Sequence, residues 1–416
     1  MPAFEPLTLA AIRARVDEAA SRATADGIAI AWLEVRREAI CEGGRPRSLA
    51  APHERTVVVR VREGGRVGES RTGSGGSTDL EAAVRAAVAA SRVAARPDTG
   101  EAPGGMGPEE PLPMLFDPAV ASLEVESVRT RLAGMVARRE VAEVDWAVGR
   151  LVVGGNLATP RTEELTAISL AVRCGRRPGA GSAEGAARSL AALPFEAIVE
   201  RARAAHGGTG LGELPDAPVA AVFAATAAVE LFESLAALSR TQGGESELGS
   251  ALTALGLELV DEPRGEGLPL PWDLLGRSRE RAAWPAGEAR EGADPPWIGR
   301  NWGLRGGLVK PEEQWLVESA GGLWVGAVSG VERVPARGGT LLRWTGRGLR
   351  RIDASGQLGD PVPDAQFEVG FNSLLGAIRG CGPLSTCRAS SDRLWGGFSA
   401  PSIAVGSLPV GRPLAI

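Results

Sequence analysis

The sequence predicts an α+β fold, with two smaller N-terminal α+β units followed by a larger β-rich C-terminal domain. Three observations lead there. Stretches with apolar residues at helical spacing are interleaved with stretches that alternate apolar and polar residues. A Pro-, Gly- and acid-rich break covers 97–113, and beyond Pro215 the texture shifts to β-rich segments interrupted by glycine and proline. The 416 residues are two to three times the roughly 150-residue prior for one domain, so more than one core fits.

In the first unit, 1–96, Leu9, Ile12, Val16 and Ala19 recur at helical spacing within 7–25. The run 28–36 then alternates like a strand around Trp32, and Val57–Val61 reads as a second strand entering the turn Glu63-Gly64-Gly65-Arg66. Thr78 with Glu81 has capping-box spacing and opens an alanine-rich helix to about Arg96. The segment 97–113 has too little apolar content for a core and is expected to be a linker. In the second unit, 114–212, a helix is expected from Pro118 to Arg139. A hairpin follows over 144–153 and 166–174 with its turn at Gly154-Gly155-Asn156, then a helix from Phe195 to His206 that stops at a glycine cluster.

The C-terminal domain, 216–416, begins with the strand 219–223 and a helix over 225–240. A long Gly- and Pro-broken stretch precedes strands near 323–328, 340–344 and 401–410. Trp272, Trp284, Trp297 and Trp302 fall in that irregular stretch. Large rigid aromatics on such backbone either line a groove for a peptide or partner, or plug a core, and the sequence leaves both readings open.

Composition excludes several functions. The net charge is −5, with 46 basic and 51 acidic residues intermingled, so no basic footprint grips a phosphate backbone and no direct nucleic-acid ligand is expected. Lys310 is the only lysine and precedes Pro311, which leaves no Walker-type loop and no Schiff-base lysine elsewhere; tyrosine is absent. The longest near-apolar run, Val219 to Val229, is too short for a bilayer, so no membrane association is expected. The start of the sequence lacks a basic-then-apolar signal and Cys41, Cys174, Cys381 and Cys387 form no CxxC pair, from which a cytoplasmic protein with reduced thiols is expected.

Few residues carry a chemical signal on their own. Gly208-x-Gly210-x-Gly212 continues into Glu213 and lacks a preceding strand, so it reads as a helix-ending loop rather than a dinucleotide fingerprint. There is no G-x-S-x-G elbow, and the two histidines, His53 and His206, lie far apart, so neither a Ser-His pair nor a His-x-x-x-His zinc site is indicated. Cys381 and Cys387 could share a soft metal only with further ligands, and buried thiols are the default reading.

The order of segments says more than any one of them. Residues 62–70 (REGGRVGES) with the Asp79-Leu80 helix, and the turn and strand from Val152 to Cys174, are followed by Asp261-Glu262-Pro263, Trp272-Asp273-x-x-Gly276 and Gly287-Glu288-Ala289-Arg290. Then come Asn301-Trp302-Gly303-Leu304 with Gly306-Gly307, the short helical stretch Lys310 to Leu316, Gly322 to Val325, Trp344 to Ile352 and the closing SAPSIAVGSLPVG. In this order the sequence resembles the TldD/PmbA family of peptidases, also called modulators of DNA gyrase. The active branch carries HExxxH on a C-terminal helix, with two zinc-binding histidines, a general-base glutamate and a later cysteine.

Here the corresponding helix is AATAAVELFESLAALSR, which puts Glu233, Ser234 and Leu238 at the His, Glu and His positions, and Cys387 in the region of the late cysteine. The resemblance is therefore to the TldE or PmbA branch, which lacks the motif. It implies a non-catalytic subunit with no metal or cofactor, paired with an HExxxH-bearing TldD-like subunit in a heterodimeric peptidase acting on unfolded or modified peptides. Trp272, Trp297 and Trp302 are expected in irregular backbone facing peptide or partner. The chain is shorter than the family between Gly276 and Gly287, where a strand and turn would stand. Two other readings stay open: a stand-alone thiol hydrolase using Cys387, and a regulatory protein acting on gyrase or a toxin–antitoxin system.

Overall fold

The computed structural model describes residues 7–43, 48–49, 53–73, 77–93, 114–137, 140–175, 180–207, 212–242, 245–262, 267–269, 282–283, 301–336, 339–390, 393–409 and 411–413. The expected linker, Trp272, Trp297 and, apart from 282–283, the shortened 276–287 region lie outside them.

Helix α1 (Leu9–Arg22) starts at Thr8, whose hydroxyl accepts the Ala11 N–H at 3.2 Å and so satisfies one of the free donors of the first turn. Strands β1 (Gly27–Glu42), β2 (Ser48–Leu49), β3 (His53–Glu63) and β4 (Arg66–Thr72) follow, and α2 (Ser77–Val93) packs on β3 and β4. The β3–β4 hairpin closes through Gly64 and Gly65 at φ 56° and 73°, the pair of left-handed residues that a type I′ turn requires. Helix α2 begins at Ser77, so Thr78 lies inside its first turn rather than at the cap.

The helix expected over 118–139 is two helices, α3 (Pro118–Ala121) and α4 (Val125–Met135). The break comes where Ser122 turns its hydroxyl back onto the Pro118 carbonyl at 2.8 Å and Glu124 is extended. Strands β5 (Glu140–Gly154), β6 (Arg161–Cys174) and β7 (Gly181–Ala187) lead to helix α5 (Phe195–Ala204).

The strand order is β4-β3-β1-β5-β6-β7, with β2 on β1. Strand β1 pairs with β5 from Ile30–Gly154 to Glu42–Ala142, so strands from 1–96 and from 114–212 share one sheet. Period-two alternation divides its faces. Ile28, Ile30 and Trp32 share a core with α1 and α2, while Ala29, Ala31 and Leu33 belong to a core on the other face.

The C-terminal half contains β8 (Val219–Phe223), α6 (Ala225–Gln242), α7 (Glu245–Ala254), β9 (Leu257–Asp261), β10 (Ala282–Ala283), β11 (Asn301–Gly306) and α8 (Glu312–Glu318). After these come β12 (Leu323–Val325), β13 (Ala327–Ala336), β14 (Gly339–Arg347), β15 (Arg350–Ile352), β16 (Leu358–Pro361) and β17 (Ala365–Gly370). The last elements are α9 (Phe371–Gly376), β18 (Ile378–Ser390), β19 (Arg393–Leu408) and β20 (Arg412–Pro413). A mixed sheet of order β10-β9-β11-β19-β8-β12-β15-β16, with β18 on β19, is accompanied by a smaller sheet β13-β14-β17-β20.

Helix α6 is held by its apolar face, since Leu231, Phe232 and Leu235 are buried in the core with Phe223, Leu374 and Ile403, and each such side chain contributes about 1.5–3 kcal/mol. Among the described residues no helix is long and apolar enough to cross a membrane. Trp302 corrects an expectation. It is not in irregular backbone but in β11, opposite Asp261 of β9 and Phe398 of β19, and it is 6% exposed within the same core.

Candidate functional site

Helix α6 packs against β18, and this contact brings the resemblance's two landmarks onto adjoining elements. Glu230 of α6 is ion-paired with Arg388 of β18, the residue after Cys387. Glu233, Ser234 and Leu238 stand three, four and eight residues after Glu230, so they share its helix face, and all three are partly exposed while Phe232 and Leu235 point into the core.

The N-terminal sheet closes the other side. Arg388 also faces Glu184 of β7 at 3.5 Å, and Arg201 of α5 donates to the Thr386 hydroxyl at 2.9 Å. Arg188, just past β7, is buried with its guanidinium on main-chain carbonyls. It donates to Thr166 at 3.2 Å, to Leu268 at 3.3 Å, and to Pro269 from Nε at 3.1 Å and Nη2 at 2.9 Å.

Burial governs the charges of this junction. It pushes the Cys387 thiol up to about 12, with the nearby Glu184 carboxylate adding to the rise. It raises Glu184 against the opposing pull of Arg388, and brings Arg188 down to about 9.

The acidic pair of the resemblance has a local task. Asp261 accepts the Asn301 N–H at 3.2 Å, and Glu262 pairs with Arg305 at 2.7 Å, so both tie the end of β9 to β11.

These residues do not fit a zinc ion. Leu238 has no donor atom, and Ser234 has no carboxylate to serve as general base, so the helix lacks the two imidazoles and the base that such a zinc site uses. The histidines are not at hand: His53 is on β3, with β1, β5 and β6 between it and β7, and His206 lies past α5 against Gly175. Among the described residues, no three His, Cys, Asp or Glu side chains are grouped to hold a metal.

The same facts oppose the thiol-hydrolase reading. A nucleophilic cysteine needs a depressed pKa and a base, and Cys387 has a raised pKa and a carboxylate neighbour that raises it further. Trp302 is a core residue and does not line the junction, while Trp272 and Trp297 fall outside the described residues. Glu184, Arg188, Arg201 and Arg388 were not legible as a group. The one available signal was Arg188 itself, a lone charge in the small apolar run 185–193.

No protein-family profile matches the sequence, and no curated protein matches it. Solved structures do. TldE from Thermococcus kodakarensis superposes with a TM-score of 0.71 at 15% identity, covering 95% of this chain and 98% of that one. A candidate modulator of DNA gyrase from Bacteroides thetaiotaomicron gives a TM-score of 0.70 at 15% identity, over 97% of this chain and 98% of that one. A second candidate gyrase modulator, from Thermotoga maritima, gives 0.69 at 18% identity, over 97% and 100%. The chain therefore has, over nearly its whole length, the fold of the TldE and gyrase-modulator structures.

Proposed function

We propose that this chain is a TldE-type member of the TldD/PmbA family: a zinc-free, non-catalytic subunit that pairs with an HExxxH-bearing TldD-like subunit in a cytoplasmic peptide-cleaving enzyme. The observation that carries the reading is the state of α6 and β18. The helix that would hold the metal packs beside the strand that would supply the cysteine, yet it presents Glu233, Ser234 and Leu238. The fold shared with TldE supports the same assignment. The chain's contribution is then to shape the peptide chamber and to complete its partner, and unfolded or modified peptide is the substrate class.

The test is co-expression with an HExxxH-bearing relative from the same source, followed by size-exclusion chromatography and a peptide-cleavage assay. Co-elution and cleavage that requires the relative's motif support the reading. Separate elution, with cleavage by the relative alone at an unchanged rate, contradicts it.

A further inference from the structure

The segment Gly267-Leu268-Pro269 comes from the C-terminal half of the sequence, yet Leu268 is fully buried in the core that holds Ala31, Leu33, Leu151 and Ala186 of the N-terminal sheet. Its main chain is gripped on both sides. Arg188 holds the Leu268 and Pro269 carbonyls through Nε and Nη2 at 2.9–3.3 Å. From the other side Leu268 N–H donates to Asn301 Oδ1 at 3.4 Å.

Gly267 completes the fit: its φ is +94°, and a Cβ there would stand 2.4 Å from the Cys387 sulfur, so only glycine passes over the thiol. One apolar anchor in a pocket and a series of main-chain hydrogen bonds are the contacts by which a cleft holds an extended peptide regardless of sequence.

We propose that Gly267-Leu268-Pro269 is a built-in occupant of a peptide cleft, which closes the space beside Cys387 to external chains. A tethered occupant acts at an effective concentration on the order of millimolar, so a free peptide does not displace it at micromolar levels. The cleft of this subunit is thereby self-filled, and peptide is handed to the partner. Only the identity of what is excluded rests on the proposed function; the occlusion itself is a property of the chain alone.

The experiment uses the isolated full-length chain. Its cysteines are alkylated under native conditions and the rates are read by peptide mapping; binding of a fluorescent, unstructured peptide containing Gly-Leu-Pro-Leu-Pro is measured in parallel. Cys41 and Cys387 are both half-buried, yet Cys387, covered by Gly267, is expected to react more slowly. Leu268→Ala and Arg188→Met, each checked for folding by thermal melting, should raise the Cys387 rate about tenfold through local opening while leaving Cys174 unchanged, and should tighten peptide binding.

If Arg188→Met does not fold, Leu268→Ala and the milder Arg188→Lys carry the test. Rapid alkylation of Cys387 in the wild type overturns the proposal. So does a folded variant in which Cys387 stays protected, or in which it opens with no gain in peptide binding. None of these results depends on whether a TldD-like partner is found.

Discussion

Arg203 grips Glu140 with two hydrogen bonds of 2.8 Å, one to each carboxylate oxygen, and so fastens α5 to the start of β5. The hydrogen bond from Arg203 is the main cause that lowers the Glu140 carboxyl to about 2.

That shift makes a prediction about acid. The folded pKa of about 2 lies below the usual 4.5, so the stabilisation is complete above about pH 4.5 and is lost as pH falls towards 2. Arg203 is half-exposed, and the net contribution after solvent screening is about 2 kcal/mol. Glu140→Gln should lower stability by that amount at pH 7 and flatten the decline between pH 5 and 2, as read by urea denaturation across the pH range.

Trp302→Ala should cost about 3–5 kcal/mol of folding stability, because the ring is a core residue of β11. Partner binding per folded molecule should be unchanged. Normal melting with weakened binding would restore the groove reading.

The fate of Trp302 shows what the sequence could and could not reveal. The hairpins β3–β4 and β5–β6 and the helices α1, α5 and α6 were legible because turn glycines and apolar periodicity are local signals. The joining of β1 to β5 was not, since pairing across roughly 110 residues leaves no trace in a local pattern. Strand β7, GSAEGAA, lacks the β-branched and aromatic residues that announce a strand, and its position comes from pairing with β6. Trp302 sits in NWGLRG, whose glycines read as loop, while the strands on either side of it are supplied by β9 and β19. The candidate site was legible only along α6 and at Cys387. Glu184 and Arg188 reach it because the N-terminal sheet docks there.

Arg388→Met should destabilise the fold by about 2–3 kcal/mol, since it leaves the carboxylates of Glu184 and Glu230 partly buried without their shared cation. Adding Glu184→Gln should recover part of the loss. A double-mutant cycle by chemical denaturation checks this, and strict additivity would refute the coupling.

Cys387→Ala should leave peptide cleavage by a reconstituted pair within about twofold of wild type, because a thiol held near 12 is not a nucleophile at neutral pH. Cleavage by this chain alone that disappears in the variant would revive the thiol-hydrolase reading.

The most direct measurement is the zinc content of the purified chain after dialysis. With Glu233, Ser234 and Leu238 on the helix face beside β18, where the imidazoles of a zinc site would stand, no stoichiometric zinc should remain. One tightly held zinc per chain would contradict the account.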